Sequence, residues 1–125
     1  MSAFTDQEIE YLRSQRLGRL ATVGSDSRPH VVPVGFHYNA ELDTIDIGGH
    51  GGFSTRKKYR DVLANPHVAF VVDDNPSVQP WVVRGLEIRG EAAALEAGGK
   101  EIMPSFDDAM FRIRPARVRS WGVNT

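Results

Sequence analysis

The segment from Gly48 to Arg60 holds the residue types in this chain that are best suited to binding an anion. It reads GGHGGFSTRKKYR, so a glycine-rich loop runs directly into a predicted helix that Ser54 or Thr55 can cap. Glycine lets the backbone approach a ligand closely. The start of a helix adds unpaired amides and the positive end of the helix dipole.

Four cations crowd the start of that helix: Arg56, Lys57, Lys58 and Arg60. Positive charges are disfavoured at the positive end of a helix dipole, so a bound phosphate would compensate them. Arg56 and Arg60 are four residues apart and share one side of the helix, where both can hold one phosphate. The alternative is a solvated basic helix start without a ligand, and the residues alone leave both interpretations open.

The rest of the chain offers no residues for acid–base, nucleophilic or metal chemistry. The four histidines, His30, His37, His50 and His67, lack the spacing of metal ligands, and there is no cysteine. Ser54 lies in a sequence that begins like a nucleophile elbow but lacks its last glycine. We therefore expect no catalytic residue and no metal site. If the protein is an enzyme, a cofactor must carry the chemistry.

Length and composition predict one globular domain over residues 1–125. Fifteen basic and 16 acidic residues give a net charge of −1, so no basic field indicates a nucleic acid or membrane partner. No apolar run approaches the roughly 18 residues that a membrane span needs. The acidic beginning of the chain is unlike a signal peptide. These features favour a small, soluble, cytoplasmic protein.

Periodicity predicts two short helices and six strands. Thr5 and Glu8 form a capping box that predicts a first helix over about 6–15. Tyr59, Val62 and Leu63 give the second helix its buried stripe. The strands are expected near 17–23, 30–38, 44–47, 67–72, 86–94 and 111–119, with a loop over 73–77. This pattern is typical of a small, mostly antiparallel barrel, in which a large ligand must bind outside, at a groove between two chains.

Several single residues refine this prediction. Pro33 marks an edge strand or a bulge, since proline donates no ladder hydrogen bond. The alternation changes parity at Pro115, which predicts a bulge there. Trp81 and Trp121 are assigned to the core by default. The alternating arginines of the last strand are expected to pair with glutamates across the sheet; they are Arg112, Arg114, Arg117 and Arg119, opposite Glu87 and Glu91.

Five motifs in order resemble the pyridoxamine-phosphate-oxidase-like split-barrel flavoproteins. Residues 18–22 and 28–36 resemble the opening of these proteins. Residues 55–61 and 65–69 resemble their phosphate-binding helix and the strand that follows it. Trp81, residues 84–90, 112–115 and 120–122 look most like the branch that uses the deazaflavin coenzyme F420, which includes reductases acting late in tetracycline biosynthesis. The resemblance extends from about Phe4 to Val123.

The resemblance implies a mostly β, six-stranded antiparallel split barrel with short helices, which forms a homodimer with two cofactor sites at its interface. The strand of Val32–Gly35 would follow the ring system, Ile47–Ser54 the ribityl chain, and Arg56 and Lys58 the phosphate. An extra cation, relative to the commoner Arg-x-Lys, leaves open whether Lys57 or Lys58 binds it. The implied cofactor-binding residues are Val32, Pro33, Val34, Gly35, Ile47, Gly48, Gly49, Ser54, Thr55, Arg56, Lys57, Lys58, Arg60, Trp81 and Arg84.

The implied activity is that of an F420-dependent oxidoreductase. Hydride would pass from the reduced cofactor to a small organic acceptor such as an enone. The alternatives are an FMN-dependent oxidoreductase of the same fold and a non-catalytic flavin- or haem-binding protein. The expected partners are a second copy of the chain and a small-molecule substrate, with no nucleic acid and no membrane.

Overall fold

A single antiparallel sheet with short helices packed on it makes up the computed structural model, which describes residues 1–123. The elements in chain order are α1 (Asp6–Ser14), β1 (Leu17–Val23), β2 (Pro29–Gly35), β3 (His37–Asn39), β4 (Thr44–Ile47), a 3₁₀ turn (Phe53–Thr55), α2 (Lys57–Ala64), β5 (His67–Val78), β6 (Trp81–Leu95), α3 (Gly99–Ile102) and β7 (Met110–Trp121). The strand order is β2-β1-β5-β6-β7-β4-β3. The mostly β, antiparallel prediction is confirmed.

The capping box of α1 forms as predicted. The Glu8 amide donates to the Thr5 hydroxyl at 3.1 Å, and the Thr5 amide donates to the Glu8 carboxylate at 2.8 Å. The second Glu8 oxygen accepts a hydrogen bond of 2.6 Å from Ser120, which ties α1 to β7. Tyr11 and Leu12 are the large side chains that this helix buries. A local capping signal therefore also fixes how the helix docks on the sheet.

The sheet has seven strands rather than six, because the predicted strand over 30–38 divides at Phe36. The first part, β2, pairs with β1 at one edge of the sheet, and the second part, β3, pairs with β4 at the other edge. Alternation of side chains continues through the division, so periodicity gave no sign of it. Phe36 packs edge-on against Phe70 at 5.3 Å.

The loop predicted over 73–77 was wrong. Strand β5 continues to Val78 and pairs with β6 as far as Trp81, with a register shift between Asp74 and Ser77. A bulge takes up the turn-forming residues Asn75 and Pro76 without ending the strand. The result is a long β5–β6 hairpin that extends past the rest of the sheet.

Two predictions from proline are confirmed. Pro33 lies on β2, which is an edge strand. On β7, Pro115 is opposite Gly90 whereas Arg117 is opposite Arg89, so Ala116 is the extra residue of a bulge. A Cβ atom at Gly90 would collide with the carbonyl oxygen of Arg114, so the bulge requires a glycine there.

The core lies between the concave side of the sheet and the helices. It contains the fully buried residues Leu20, Phe53, Phe70, Val72, Leu86, Ile88, Phe111 and Ile113. The assignment of both tryptophans to the core was wrong: Trp81 is 69% exposed at the hairpin end, and Trp121 is 42% exposed over Gly85. Leu63 is also exposed, since the residues that α2 buries are Tyr59, Asp61 and Val62. None of the helices in residues 1–123 has the length and apolar character to cross a membrane.

Candidate functional site

The start of α2 differs from its prediction in one respect: neither Ser54 nor Thr55 caps the helix. Both belong to the 3₁₀ turn, and the Thr55 hydroxyl donates to the Gly52 carbonyl at 2.7 Å. The N-cap is Arg56, whose side chain accepts no helix amide. Within the described chain no acceptor reaches the backbone amides of Lys57 and Lys58. The first turn of α2 therefore keeps unpaired donors.

The two lysines of this turn have different surroundings. The Lys57 ammonium lies 3.0 and 3.1 Å from the two carboxylate oxygens of Asp61. Asp61 is buried and also accepts a 3.0 Å hydrogen bond from Thr22 on β1. The Lys58 ammonium lies 5.2 Å from the centroid of the Phe53 ring. Burial, and then the charge of Arg56, lower the Lys58 pKa. Lys57 thus neutralises a buried carboxylate, while Lys58 is a partly desolvated cation beside another cation.

The arginines of this region contact only backbone oxygens. One guanidinium nitrogen of Arg56 lies 3.4 Å from the His50 carbonyl and 3.3 Å from the Gly51 carbonyl. The Arg60 guanidinium lies 3.4 Å from the Thr55 carbonyl. Among residues 1–123, neither these arginines nor Lys58 forms an ion pair. Three cations with no carboxylate therefore lie around the end of the glycine loop.

The glycine loop is held from outside by the connection between β6 and β7. One carboxylate oxygen of Asp107 accepts the backbone amides of Gly52 and Phe53, both at 2.8 Å. These two hydrogen bonds lower the Asp107 pKa. The Phe106 ring lies where a Cβ atom of Gly48 would be, and it packs edge-on against the His50 ring at 4.8 Å. Part of the loop's capacity to bind an anion is therefore already used by the protein.

Asp107 is a site residue that the sequence reasoning missed. It lies 55 residues from Gly52 along the chain. The stretch before β7 shows no periodicity, so no sequence pattern connects it with the loop.

The predicted ring-binding strand lies at the open edge of the sheet. Val34 is buried and Val32 partly so, whereas Pro33 and Gly35 are exposed. Alternation in a strand sends these two pairs to opposite faces, so one flat ring can cover only one pair. Ile47 is fully buried in the core. Neither its side chain nor its backbone is therefore exposed to a ligand, whereas Gly48 and Gly49, which follow it, are partly exposed.

Trp81 and Arg84 are not brought to the start of α2 within one chain. The Tyr59 hydroxyl of α2 donates to the Leu95 carbonyl of β6 at 3.4 Å. Arg84 precedes Leu95 by eleven residues on the same strand, a distance of about 35 Å along extended backbone. The predicted cofactor residues therefore form two separate groups in a single chain.

Arg84 is already paired. Its guanidinium makes two hydrogen bonds to Asp74, at 3.1 and 2.7 Å, and lies 5.2 Å over the Tyr11 ring. The Tyr11 hydroxyl donates to Asp74 at 2.7 Å. Arg84 first and Tyr11 next lower the pKa of Asp74, while burial and the Asp74 hydrogen bond raise that of Tyr11. No pattern of residues along the chain indicated this pairing across the hairpin.

The arginines of β7 divide between two environments. Arg119 is opposite Glu87 and Arg114 is opposite Glu91, as predicted, but within residues 1–123 neither arginine forms an ion pair. Glu87 lies 3.8 Å from Arg89 instead, and Glu91 lies 3.9 Å from His67. Arg112 instead makes two 3.1 Å hydrogen bonds to Asp46, a buried carboxylate on β4. Asn39 and Thr44 also donate to Asp46. No group of three histidine, aspartate or glutamate side chains in residues 1–123 is arranged to hold a metal ion.

Comparison with known proteins agrees with this architecture. A curated reductase of 5a,11a-dehydrotetracycline and 5a,11a-dehydrooxytetracycline from Streptomyces rimosus is 49% identical over 120 residues, which cover 96% of this chain and 84% of that protein. Two solved structures share the fold. The protein Rv2991 of Mycobacterium tuberculosis has a TM-score of 0.74 at 20% identity, over 96% of this chain and 86% of its own.

The second structure, described as an F420 reductase, has a TM-score of 0.64 at 24% identity, over 83% of this chain and 89% of its own. The predicted split-barrel fold is thereby confirmed. The profile of the pyridoxamine 5'-phosphate oxidase family matches residues 4–122. The chain therefore belongs to the pyridoxamine 5'-phosphate oxidase family.

Proposed function

We propose that this protein is an oxidoreductase that binds the deazaflavin coenzyme F420 and reduces a small organic acceptor containing an enone. The observation that carries the proposal is the group of unpaired cations at the start of α2: Arg56 and Lys58 lie side by side without a carboxylate. The tetracycline-intermediate reductase at 49% identity supports the reductase activity. The similarity to an F420 reductase supports the choice of cofactor.

The residues at the start of α2 fit a phosphate group. Arg56 and Lys58 supply charge-assisted hydrogen bonds, and the amides of Lys57 and Lys58 supply two further donors. Lys57 is assigned to the fold because Asp61 already binds its ammonium. Of the two lysines, Lys58 is therefore the phosphate ligand in this proposal.

The remaining contacts are assigned to the edge strand and the glycine loop. Backbone from Val32 to Gly35 supports the ring at the open edge, and the partly exposed backbone of Gly48 and Gly49, after the buried Ile47, follows the sugar-like chain. The bound deazaflavin supplies the hydride. The chain's own contribution is position and electrostatics, since the segments assigned to the ring and its chain hold no acid or base.

A homodimer is part of the proposal. A groove of about 590 Å³ crosses the outer face of β1, β5, β6 and β7, with Ala21, Val23, Ala69 and Ala116 among the residues that line it. Val31 of β2 is exposed beside the groove, opposite Ala21, and further large apolar side chains, Val78 and Trp81, are exposed at the distant end of the β5–β6 hairpin. Covering such a face stabilises a dimer. Because Arg84 lies far from α2 in its own chain, it reaches a cofactor site only in the partner.

The test is a parallel titration of the protein with F420, FMN and haem, followed by fluorescence quenching or absorbance. We expect F420 to bind most tightly, and its reduced form to be consumed when 5a,11a-dehydrotetracycline is added. Purification with stoichiometric, tightly held FMN would contradict the assignment of the cofactor. Binding of F420 without turnover of any enone would favour a carrier. A compact monomer at micromolar concentration in sedimentation would contradict the dimer.

A further inference from the structure

The contact between Asp107 and the glycine loop controls more than the loop's own shape. Both hydrogen bonds to Asp107 come from peptide units whose carbonyls accept from Arg56, a proposed phosphate ligand, and from Thr55, an expected cofactor-binding residue. The Gly52 amide belongs to the same peptide unit as the Gly51 carbonyl, which accepts from Arg56 at 3.3 Å. The Phe53 amide belongs to the same unit as the Gly52 carbonyl, which accepts from the Thr55 hydroxyl at 2.7 Å.

A peptide unit is planar, and in the trans form its N–H and C=O point in opposite directions. When Asp107 fixes the two amides on one side of the loop, it also fixes the direction of the two carbonyls on the other side. Those carbonyls hold the guanidinium of Arg56 and the hydroxyl of Thr55. Asp107 thus acts on both residues through the backbone, without touching either side chain.

The loop needs such an external restraint. Gly51 and Gly52 have φ angles of 65° and 89°, and glycine leaves these positions free to adopt many other conformations. The Asp107 side is itself well anchored. Its amide donates to the Gly49 carbonyl at 2.8 Å, and Lys100 donates to the Phe106 carbonyl at 3.0 Å. The β6–β7 connection therefore offers a fixed carboxylate to a flexible loop.

We propose that Asp107 is a positioning residue for the cofactor phosphate, because it orients the peptide units that hold Arg56 and Thr55. The inference rests on the proposed function, which places the phosphate at Arg56. It adds that the Gly52 and Phe53 amides bind an internal carboxylate rather than the ligand. The phosphate is then bound by the side chains of Arg56 and Lys58 and by the backbone amides of the first turn of α2.

The test compares Asp107→Ala and Asp107→Asn by titration with F420 and with its phosphate-free deazariboflavin fragment. We expect Asp107→Ala to weaken F420 binding by about tenfold and fragment binding by less than about twofold. Asp107→Asn should retain most of the affinity, since one carboxylate oxygen accepts both amides and an amide oxygen can replace it. The matched control is Asp108→Ala, whose exposed side chain makes no hydrogen bond within the described chain.

A double-mutant cycle with Arg56→Ala makes the test specific. If Asp107 acts through Arg56, adding Asp107→Ala to Arg56→Ala should reduce F420 affinity by less than about threefold further. If the two substitutions reduce F420 affinity by independent factors that multiply, the positioning role is overturned. Equal losses of affinity for F420 and for the fragment would also overturn it.

If Arg56→Ala alone leaves F420 binding unchanged, the proposed site itself is wrong. If Arg56→Ala weakens binding and Asp107→Ala does not, only the present inference fails. Should Asp107→Ala not fold, Asp107→Ser takes its place, because its shorter side chain cannot reach the two amides. A selective loss for F420 then supports the role, and an equal loss for both ligands, or no loss, overturns it.

Discussion

Arg84 is a half-buried arginine and Arg56 an exposed one, and their surroundings are opposite. Arg84 has a carboxylate partner in Asp74, an aromatic ring beneath it in Tyr11, and two short hydrogen bonds. Arg56 has only long contacts to carbonyl oxygens and a neighbouring cation in Lys58. The paired arginine fastens α1 to the β5–β6 hairpin. Within residues 1–123, the unpaired one is bonded to the glycine loop alone, through the His50 and Gly51 carbonyls.

The presence or absence of a carboxylate partner distinguishes cations that stabilise the fold from cations that are available to a ligand. A cation that is paired with a carboxylate contributes to stability. When the cation is removed, the carboxylate stays buried without its partner, and the free energy of unfolding falls. A cation at the positive end of a helix with no carboxylate costs a little stability until an anion binds. The two groups should therefore respond in opposite ways to substitution: one in stability, the other in ligand affinity.

The largest effect is expected at the most buried ion pair. Arg112→Ala leaves the Asp46 carboxylate, which is 3% exposed, with only Asn39 and Thr44 as partners. We expect a loss of about 3 kcal/mol in the free energy of unfolding, measured by urea denaturation. The control Arg119→Ala, exposed on the same strand, should change it by less than about 0.5 kcal/mol. Equal effects of the two substitutions would refute the distinction between paired and solvated arginines.

Arg56→Ala should have the opposite effect: it should weaken F420 binding without lowering stability. Loss of a charge-assisted bond to phosphate is worth roughly 1.5–3 kcal/mol, so F420 affinity should fall about tenfold to hundredfold. Thermal stability of the cofactor-free protein should stay unchanged or rise slightly, because a charge that opposes the helix dipole is removed. The measurement is the dissociation constant of F420 for the wild type and for the variant, at low and at moderate salt. Agreement within about twofold would exclude Arg56 as a phosphate ligand. Arg16→Ala, an exposed arginine before β1, is the control.

The neighbouring lysines allow the same comparison within one helical turn. Lys57→Ala deprives the buried Asp61 carboxylate of its cation, so stability should fall by about 1 kcal/mol with little change in F420 affinity. Lys58→Ala should lower F420 affinity by about tenfold. It should also leave the cofactor-free protein as stable or slightly more stable, since burial disfavours the Lys58 charge and lowers its pKa. Thermal melts and titrations of both variants check this. The reverse assignment of effects would mean that Lys57 is the phosphate ligand.

The smallest expected effect concerns acid. The Asp74 pKa is held below its usual 3.8, with the Arg84 hydrogen bonds as the main cause. The resulting stabilisation is fully present above pH 3.8 and is lost as pH falls through the lower pKa of the folded state. Stability of Asp74→Asn should therefore depend less on pH below about 4 than that of the wild type. Urea midpoints between pH 5 and 2 measure it, and parallel curves for the two proteins would contradict the pairing.

Much of the fold was open to prediction because its signals are local. The capping box of α1 involves residues three apart, and the proline on β2 excludes an interior strand wherever the partners lie. The bulge at Ala116 appears in the sequence as a change of parity. The candidate phosphate segment was also predictable, since glycines and cations are adjacent in the chain.

Tertiary structure decided most of the pairing of the cations. The sequence already places Asp61 four residues after Lys57 and Val62 four residues after Lys58, but the burial of Asp61 against Thr22 of β1 is a tertiary contact. Arg84 finds Asp74 through the register of a hairpin whose bulge looked like a loop. Asp107 reaches the glycine loop across 55 residues. The sequence shows directly which segments carry charge. Which charged side chains pair with each other depends on contacts between distant strands, and no single segment encodes the register of those strands.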